Sequence, residues 1–197
     1  MIKKIFYIFF SFFGLILLSP LFLIISILIK LDSPGPIFYR GVRIGQFGRQ
    51  FKIFKFRTML EKAEELGGPS TAADDFRLTK IGKFLKKYKL DEFPQLINVL
   101  RDEMSLVGPR PEVKVYVDMM TEEERKTILS VKPGMTDLAS LWDFREEEIL
   151  KGSSDPEKVY MEKIRPKKIQ LQLEYVKNRS FLLDLKIIAK TIFKLFR

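Results

Sequence analysis

Residues 5–29 form a run of 25 without a single charge, and this run limits what the chain can fold into more than any other feature. It exceeds the roughly 20 apolar residues that a helix needs to span a bilayer. Lys3 and Lys4 precede it, and Lys30, Arg40 and Arg43 follow. A secretory signal fits poorly, because the apolar stretch is too long and no small-x-small cleavage site follows it. Ser19-Pro20 lies inside the run. Proline removes a backbone donor and crowds the carbonyl four residues back, here that of Ile16, so a kink or break is expected there. The arms on either side measure about 22 and 15 Å at the helical rise, and neither crosses the hydrocarbon alone. Both flanks are basic, and Lys and Arg gather at cytoplasmic ends. These constraints favour a re-entrant helix-break-helix over residues 1–31, entering and leaving on one face, with Ser19 satisfying the carbonyl that Pro20 orphans. The competing reading is an ordinary kinked span, since proline is common in transmembrane helices.

Residues 32–197 are expected to form one interfacial domain with a core of its own, in keeping with 46% hydrophobic content over 197 residues. The chain contains no histidine and no cysteine. An imidazole base, a thiol nucleophile, Cys/His zinc sites and disulfides are thereby excluded, so any catalysis must use carboxylates, hydroxyls, Lys or Arg. A formal charge of +10 points to an anionic partner: nucleic acid, acidic lipid or a phosphorylated substrate.

Residues 83–112 carry the chemistry. An adjacent acid pair, Asp91-Glu92, follows a basic segment with Lys83, Lys86, Lys87 and Lys89, and precedes a rigid Gly108-Pro109-Arg110-Pro111 turn that presents a guanidinium. Helical side chains advance about 100° per residue, so two neighbours hardly share a face in mid-helix. At a helix start both can sit beside one ligand, and Pro94 favours that placement because proline is tolerated in a first turn. Asp91 as a simple N-cap is the structural alternative. It is weakened by Pro94, which would be the third helical residue and has no N–H to donate to the cap. A carboxylate left uncommitted among cations suits a nucleophile or a metal ligand.

The remaining chain reads as α+β. Ser33-Pro34-Gly35-Pro36 is a turn off the membrane, and residues 37–59 are a small β-hairpin turning at 45–48. Alternation puts Lys55 and Arg57 on one strand face. A half-buried strand accounts for this basic-aromatic pattern better than nucleic-acid stacking. Residues 61–74, with Gly67-Gly68-Pro69, are expected as a surface loop, 75–89 as a basic amphipathic helix and 94–100 as a second helix. Residues 106–111 and 132–136 are turns, and 116–129 is helical with a restart at the acidic 121–124 segment. Residues 139–142 are a strand or helix, and Glu146-Glu147-Glu148 is a solvated face. The rest is helical with Pro166 as a break. In residues 181–197, Lys186, Lys190 and Lys194 form one stripe, which suits either a membrane interface or packing on the core.

Taken together, Ser19-Pro20, SPGPIF at 33–38, FKIFKFRTM at 51–59, LDEFPQLINVL at 90–100, SLVGPRPE at 105–112, KPGMT at 132–136 and YVKNRSFLLDLKI at 175–187 resemble the bacterial sugar transferases, the monotopic phosphoglycosyl transferases. The chain looks like their minimal catalytic core. The resemblance implies a membrane-anchored α+β fold with interfacial amphipathic helices, at the cytoplasmic face of the inner membrane. It implies Mg²⁺-dependent transfer of a sugar 1-phosphate from a UDP-sugar to polyprenyl (undecaprenyl) phosphate with release of UMP; the partners are then these two substrates and membrane lipid, and no nucleic acid. It further implies Asp91 as nucleophile and metal ligand, Glu92 as its catalytic partner, and Lys55, Lys86 and Arg110 as functional cations. Arg57 is added to the phosphate-binding set from its shared strand face with Lys55, and Pro109 and Pro111 as the rigid frame of Arg110. Residues 137–142 (DLASLW) depart from the Gly-aromatic-Ala-Gln run common after KPG-x-T in relatives. The rival classes are a membrane-tethered basic binding module without catalysis, and a hydrolase acting on the same phosphate.

Overall fold

The computed structural model describes residues 2–68 and 70–195; Met1 of the expected re-entrant segment, Pro69 of the expected surface loop and residues 196–197 at the end of the expected C-terminal helix lie outside the described residues. Helix α1 (Ile2–Asp32) is a single 31-residue helix with Pro20 inside it. Ser19 Oγ donates to the Ile16 carbonyl at 2.7 Å, the acceptor that Pro20 leaves without its usual N–H. The helix therefore runs on through the position where the sequence predicts a kink or break, and a serine hydroxyl stands in for the missing donor.

Both arms of α1 pack on the same body. Tyr7 joins a core with Phe51, Ile53, Val99 and Met104, whereas Ile25 and Ile29 pack on Phe56 and Leu85. Elsewhere α1 turns an apolar surface outward, with Leu17 and Leu31 about 80% and 79% exposed. A continuous apolar face of this kind requires lipid or a partner to cover it. α1 is the one helix long and apolar enough to cross a membrane among the described residues.

The expected hairpin is present in two short ladders. Strand β1 (Phe38–Tyr39) and β2 (Val42–Ile44) lead out, and β3 (Gln50–Lys52) and β4 (Lys55–Phe56) lead back, paired antiparallel as β2–β3 and β1–β4. Asn98 fixes the irregular middle: its Oδ1 accepts from Phe54 N at 2.9 Å, and its Nδ2 donates to the Lys52 carbonyl at 3.0 Å. Helix α2 (Lys80–Lys87) begins later than expected. Thr79 caps it through Gly82 N at 2.9 Å, while Arg77 and Asp75 hold each other at 2.7 Å in the preceding loop.

A 3₁₀ turn over Leu90–Gln95 runs into α3 (Leu96–Leu100). Strand β5 (Ser105–Val107) follows, then α4 (Lys114–Asp118) and α5 (Glu122–Ile128). The expected helix over 116–129 is thus two, and the restart is a capping box between Thr121 and Glu124. β6 (Gly134–Thr136) pairs in parallel with β5, so two stretches that read as isolated turns form one sheet. A Cβ on Gly134 would lie 2.1 Å from Gly108 N, which makes two facing glycines the condition for this contact.

Beyond β6 come α6 (Leu138–Trp142), α7 (Glu146–Ile149), α8 (Pro156–Val159), a π-helical turn at Tyr160–Ile164, α9 (Arg165–Asn178) and α10 (Phe181–Leu195). Pro166 does not break the helical run: it lies directly after the π-helical turn, at the start of α9. α10 buries Ile187 against Val107 and Tyr175 yet leaves Lys186, Lys190, Leu182, Ile192 and Phe193 outward. It therefore packs on the core with one face and presents an apolar and basic face with the other.

Candidate active site

Lys89 takes the left-handed conformation (φ 55°) and so ends the run of α2 and redirects the chain into the 3₁₀ turn that carries both acids. Asp91 lies inside this turn; the position before the turn is Lys89, with no side-chain cap. The N-cap reading of Asp91 is therefore set aside. Asp91 is 5% exposed, and its Oδ1 is buried with no hydrogen-bond partner.

Glu92 is in the opposite situation. Lys55 Nζ donates to its Oε1 at 2.8 Å. Arg110 straddles the carboxylate, with Nη1 donating to Oε2 at 3.1 Å and Nη2 to Oε1. These cations hold Glu92 well below the usual carboxylate range despite its burial, with Arg110 the larger influence and Lys55 next. Asp91 is pushed up by burial, against the opposing pull of Lys55 and Lys86. Burial lowers Lys55, and it lowers Lys86 to about 8. Arg110 is raised, chiefly by Glu92.

Arg110 is held by backbone: Gly134 N donates to the Pro109 carbonyl at 2.9 Å and Gly108 N to the Thr136 carbonyl at 3.1 Å. Pro109 and Pro111 are both buried within this frame. The arrangement brings together Asp91, Glu92, Lys55, Lys86 and Arg110. It does not bring Arg57 to them. The Arg57 guanidinium donates to the Ser33 carbonyl at 2.7 Å, to Ser33 Oγ at 3.0 Å and to the Pro34 carbonyl, clamping the end of α1 to the turn that follows. β4 ends at Phe56, so strand alternation no longer governs where residue 57 points.

Residues 137–147 also flank the acid pair. Glu147 is buried and pairs with Lys89 at 2.8 Å, and Lys89 Nζ lies 5.9 Å from the centre of the Phe144 ring. Glu146 and Asp137 both act on Arg110. Lys168 Nζ reaches Glu146 at 2.5 Å and Asp143 at 3.7 Å. Burial raises Asp143 to about 7. The expected solvated acidic face is thus corrected for Glu146 and Glu147, while Glu148 remains exposed. Sequence reasoning missed this layer because its partners lie far apart in the chain.

The donor set fits a hard divalent cation. Magnesium takes one or two carboxylates and completes its shell with water and substrate phosphate oxygens, and Asp91 offers a buried oxygen with no other partner. Among the described residues there is no cluster of three or more acids suited to a metal, so the substrate's own oxygens would have to contribute.

The sequence profile described as bacterial sugar transferase matches residues 1–197. A relative from Aeromonas hydrophila named UDP-N-acetylgalactosamine-undecaprenyl-phosphate N-acetylgalactosaminephosphotransferase is 37% identical over 89% of this chain and 39% of its own length. One from Klebsiella pneumoniae, named UDP-glucose:undecaprenyl-phosphate glucose-1-phosphate transferase, is 39% identical over 92% of this chain and 37% of its own. The chain thus spans about two fifths of the length of these two. An exopolysaccharide production protein, PSS, from Rhizobium leguminosarum bv. phaseoli is 35% identical over 97% of this chain and 93% of its own.

Proposed function

Because the chain belongs to the bacterial sugar transferase family, we propose that it transfers a sugar 1-phosphate from a UDP-sugar to undecaprenyl phosphate, releasing UMP, at the cytoplasmic face of the inner membrane. The observation that carries this reading is the division of labour in the acid pair: Asp91 buried with a free oxygen, Glu92 committed to Arg110 and Lys55.

In the first step an oxygen of Asp91 attacks the sugar-bearing phosphorus. An aspartyl O–P bond forms, the bridging P–O bond breaks, and UMP departs with the bridging oxygen and its electron pair. In the second step a phosphate oxygen of the polyprenyl acceptor attacks the same phosphorus and the Asp91 carboxylate leaves. A phosphate monoester loses its second proton near pH 6, so at neutral pH the acceptor needs little help from a base. Glu92, held ionised by two cations, is a poor proton acceptor; its role is to hold Arg110 and Lys55 until donor phosphate oxygens take its place, since a guanidinium fork matches either group. Lys86 adds charge behind Asp91. A magnesium ion, when bound, would be held by Asp91 and would offset the charge of the diphosphate.

Donor labelled in the sugar phosphate, given without polyprenyl phosphate, should release UMP and leave label on the protein. Acid quench and peptide mass should place it on Asp91. UMP appearing only when both substrates are present would exclude the covalent step, and salt-sensitive binding without any turnover would favour a binding module instead.

The same reading places α1 in one leaflet, entering and leaving on the cytoplasmic side. Its support is that both arms of the helix pack on one body, which a straight crossing would prevent. Cysteines introduced singly at Lys4 and Lys30 in this cysteine-free chain should both react with an impermeant reagent from the cytoplasmic side only. Labelling from opposite sides would establish a span.

A further inference from the structure

An open cleft of about 240 Å³ lies at the amino end of α1. Its walls combine cations and apolar side chains: Lys3, Lys4, Lys132 and Arg179 on one hand, Ile8 and Val99 among the others. Two carboxylates face these four cations, Asp102 and Asp184. Asp184 is 1% exposed and already saturated, accepting from Lys3 Nζ at 2.7 Å, Tyr7 Oη at 2.6 Å and Tyr175 Oη at 2.8 Å. Asp102 is shared: Lys4 reaches one oxygen at 3.0 Å and Lys132 the other. Arg179 makes no ion pair among the described residues and is exposed. The cleft therefore carries an excess of positive charge that the protein leaves uncompensated.

This is not the acid-pair site. The cleft's lining contains none of Asp91, Glu92, Lys55, Lys86 and Arg110, and it is built around Tyr7 at the amino end of α1, whereas Leu90, the neighbour of Asp91, packs on the cluster of Ile25 and Ile29. At the rim, Ile5 and Phe9 of α1 are 63% and 54% exposed, so the charge stands directly beside an apolar, lipid-seeking surface.

We propose that this cleft binds the phosphate headgroup of an anionic phospholipid, with the acyl chains lying along Ile5, Ile8 and Phe9. Cationic charge recognises the phosphate, and the apolar rim distinguishes a lipid from a soluble phosphate. The binding is independent of the transfer reaction, and none of its cations belongs to the acid-pair site.

The test is native mass spectrometry of the full chain in detergent with equal amounts of phosphatidylglycerol and phosphatidylcholine. The wild type should retain one phosphatidylglycerol in strong preference. The double variant Lys132→Gln/Arg179→Gln should lose that preference by roughly 10- to 30-fold, the effect of removing two interfacial cations. Lys132→Arg/Arg179→Lys, which keeps the charge, should retain it and so separates charge from folding. Equal retention by wild type and the Gln variant, or no preference for phosphatidylglycerol in the wild type, overturns the proposal. Displacement of the lipid by millimolar glycerol 3-phosphate would assign the cleft to a soluble phosphate and overturn it as well.

Discussion

Arg57, just past the hairpin, and Arg110, in the turn after β5, are both folded inward, yet one meets backbone carbonyls and the other a carboxylate. Carbonyls are neutral and part of the chain, so the Arg57 contacts cannot be traded for anything else; they fix the end of α1 against residues 33–34. The Glu92 carboxylate has the shape and charge of the phosphate oxygens that a diphosphate donor would bring. Arg110 thus sits on a partner that a substrate can replace. The comparison teaches that the partner of an inward-turned guanidinium, more than how deeply it lies, separates a structural arginine from a working one.

The hardest blow to the working side is Asp91→Asn. It replaces the nucleophile with a neutral amide, and UMP release should fall at least about 10³-fold with no adduct, measured per folded molecule. Arg110→Lys keeps the charge but loses the fork, and turnover should drop by about 10²-fold while the melting temperature stays near wild type. Normal turnover in this variant would place Arg110 with Arg57 as scaffold. Arg57→Ala should show the reverse pattern. Losing the bonds to the part-buried carbonyls of Ser33 and Pro34 should cost about 1 kcal/mol in chemical denaturation, with turnover of the folded fraction largely kept. The finest distinction is in pH. Lys86, with its pKa lowered to about 8, is charged below that value and neutral above it, so turnover should decline on the alkaline side. Lys86→Arg stays charged and should extend the active range upward; an unchanged alkaline limb would remove Lys86 from the site.

The features legible in the sequence are those encoded over a few neighbouring residues. The apolar run, the Ser19-Pro20 repair of the Ile16 carbonyl, the hairpin and its turn, and the cationic setting of Asp91 and Glu92 are all of this kind. Arg57 was misplaced by alternation because that rule holds only while a strand is regular, and β4 stops one residue earlier. The β5–β6 pairing was illegible for another reason: it depends on Gly108 meeting Gly134, a contact with no trace in either segment alone. Glu147 looked like a solvated face until Lys89, 58 residues away, supplied its partner.

The π-helical turn at Tyr160–Ile164 sets a phase. Upstream, Tyr160 and Ile164 belong to the core that holds Tyr116 and Leu150, and downstream Ile169 belongs to the core that holds Met120 and Ile128. One helical rod serves both, and an uninterrupted α-helix would present its two halves in a different rotation. Winding these same five residues as an α-helix would turn the halves relative to each other, because a π turn takes more residues per revolution than an α turn. Lys168 would then leave Asp143 and Glu146 while every side chain involved stayed the same, so the spacing of this turn carries the charge balance behind Arg110.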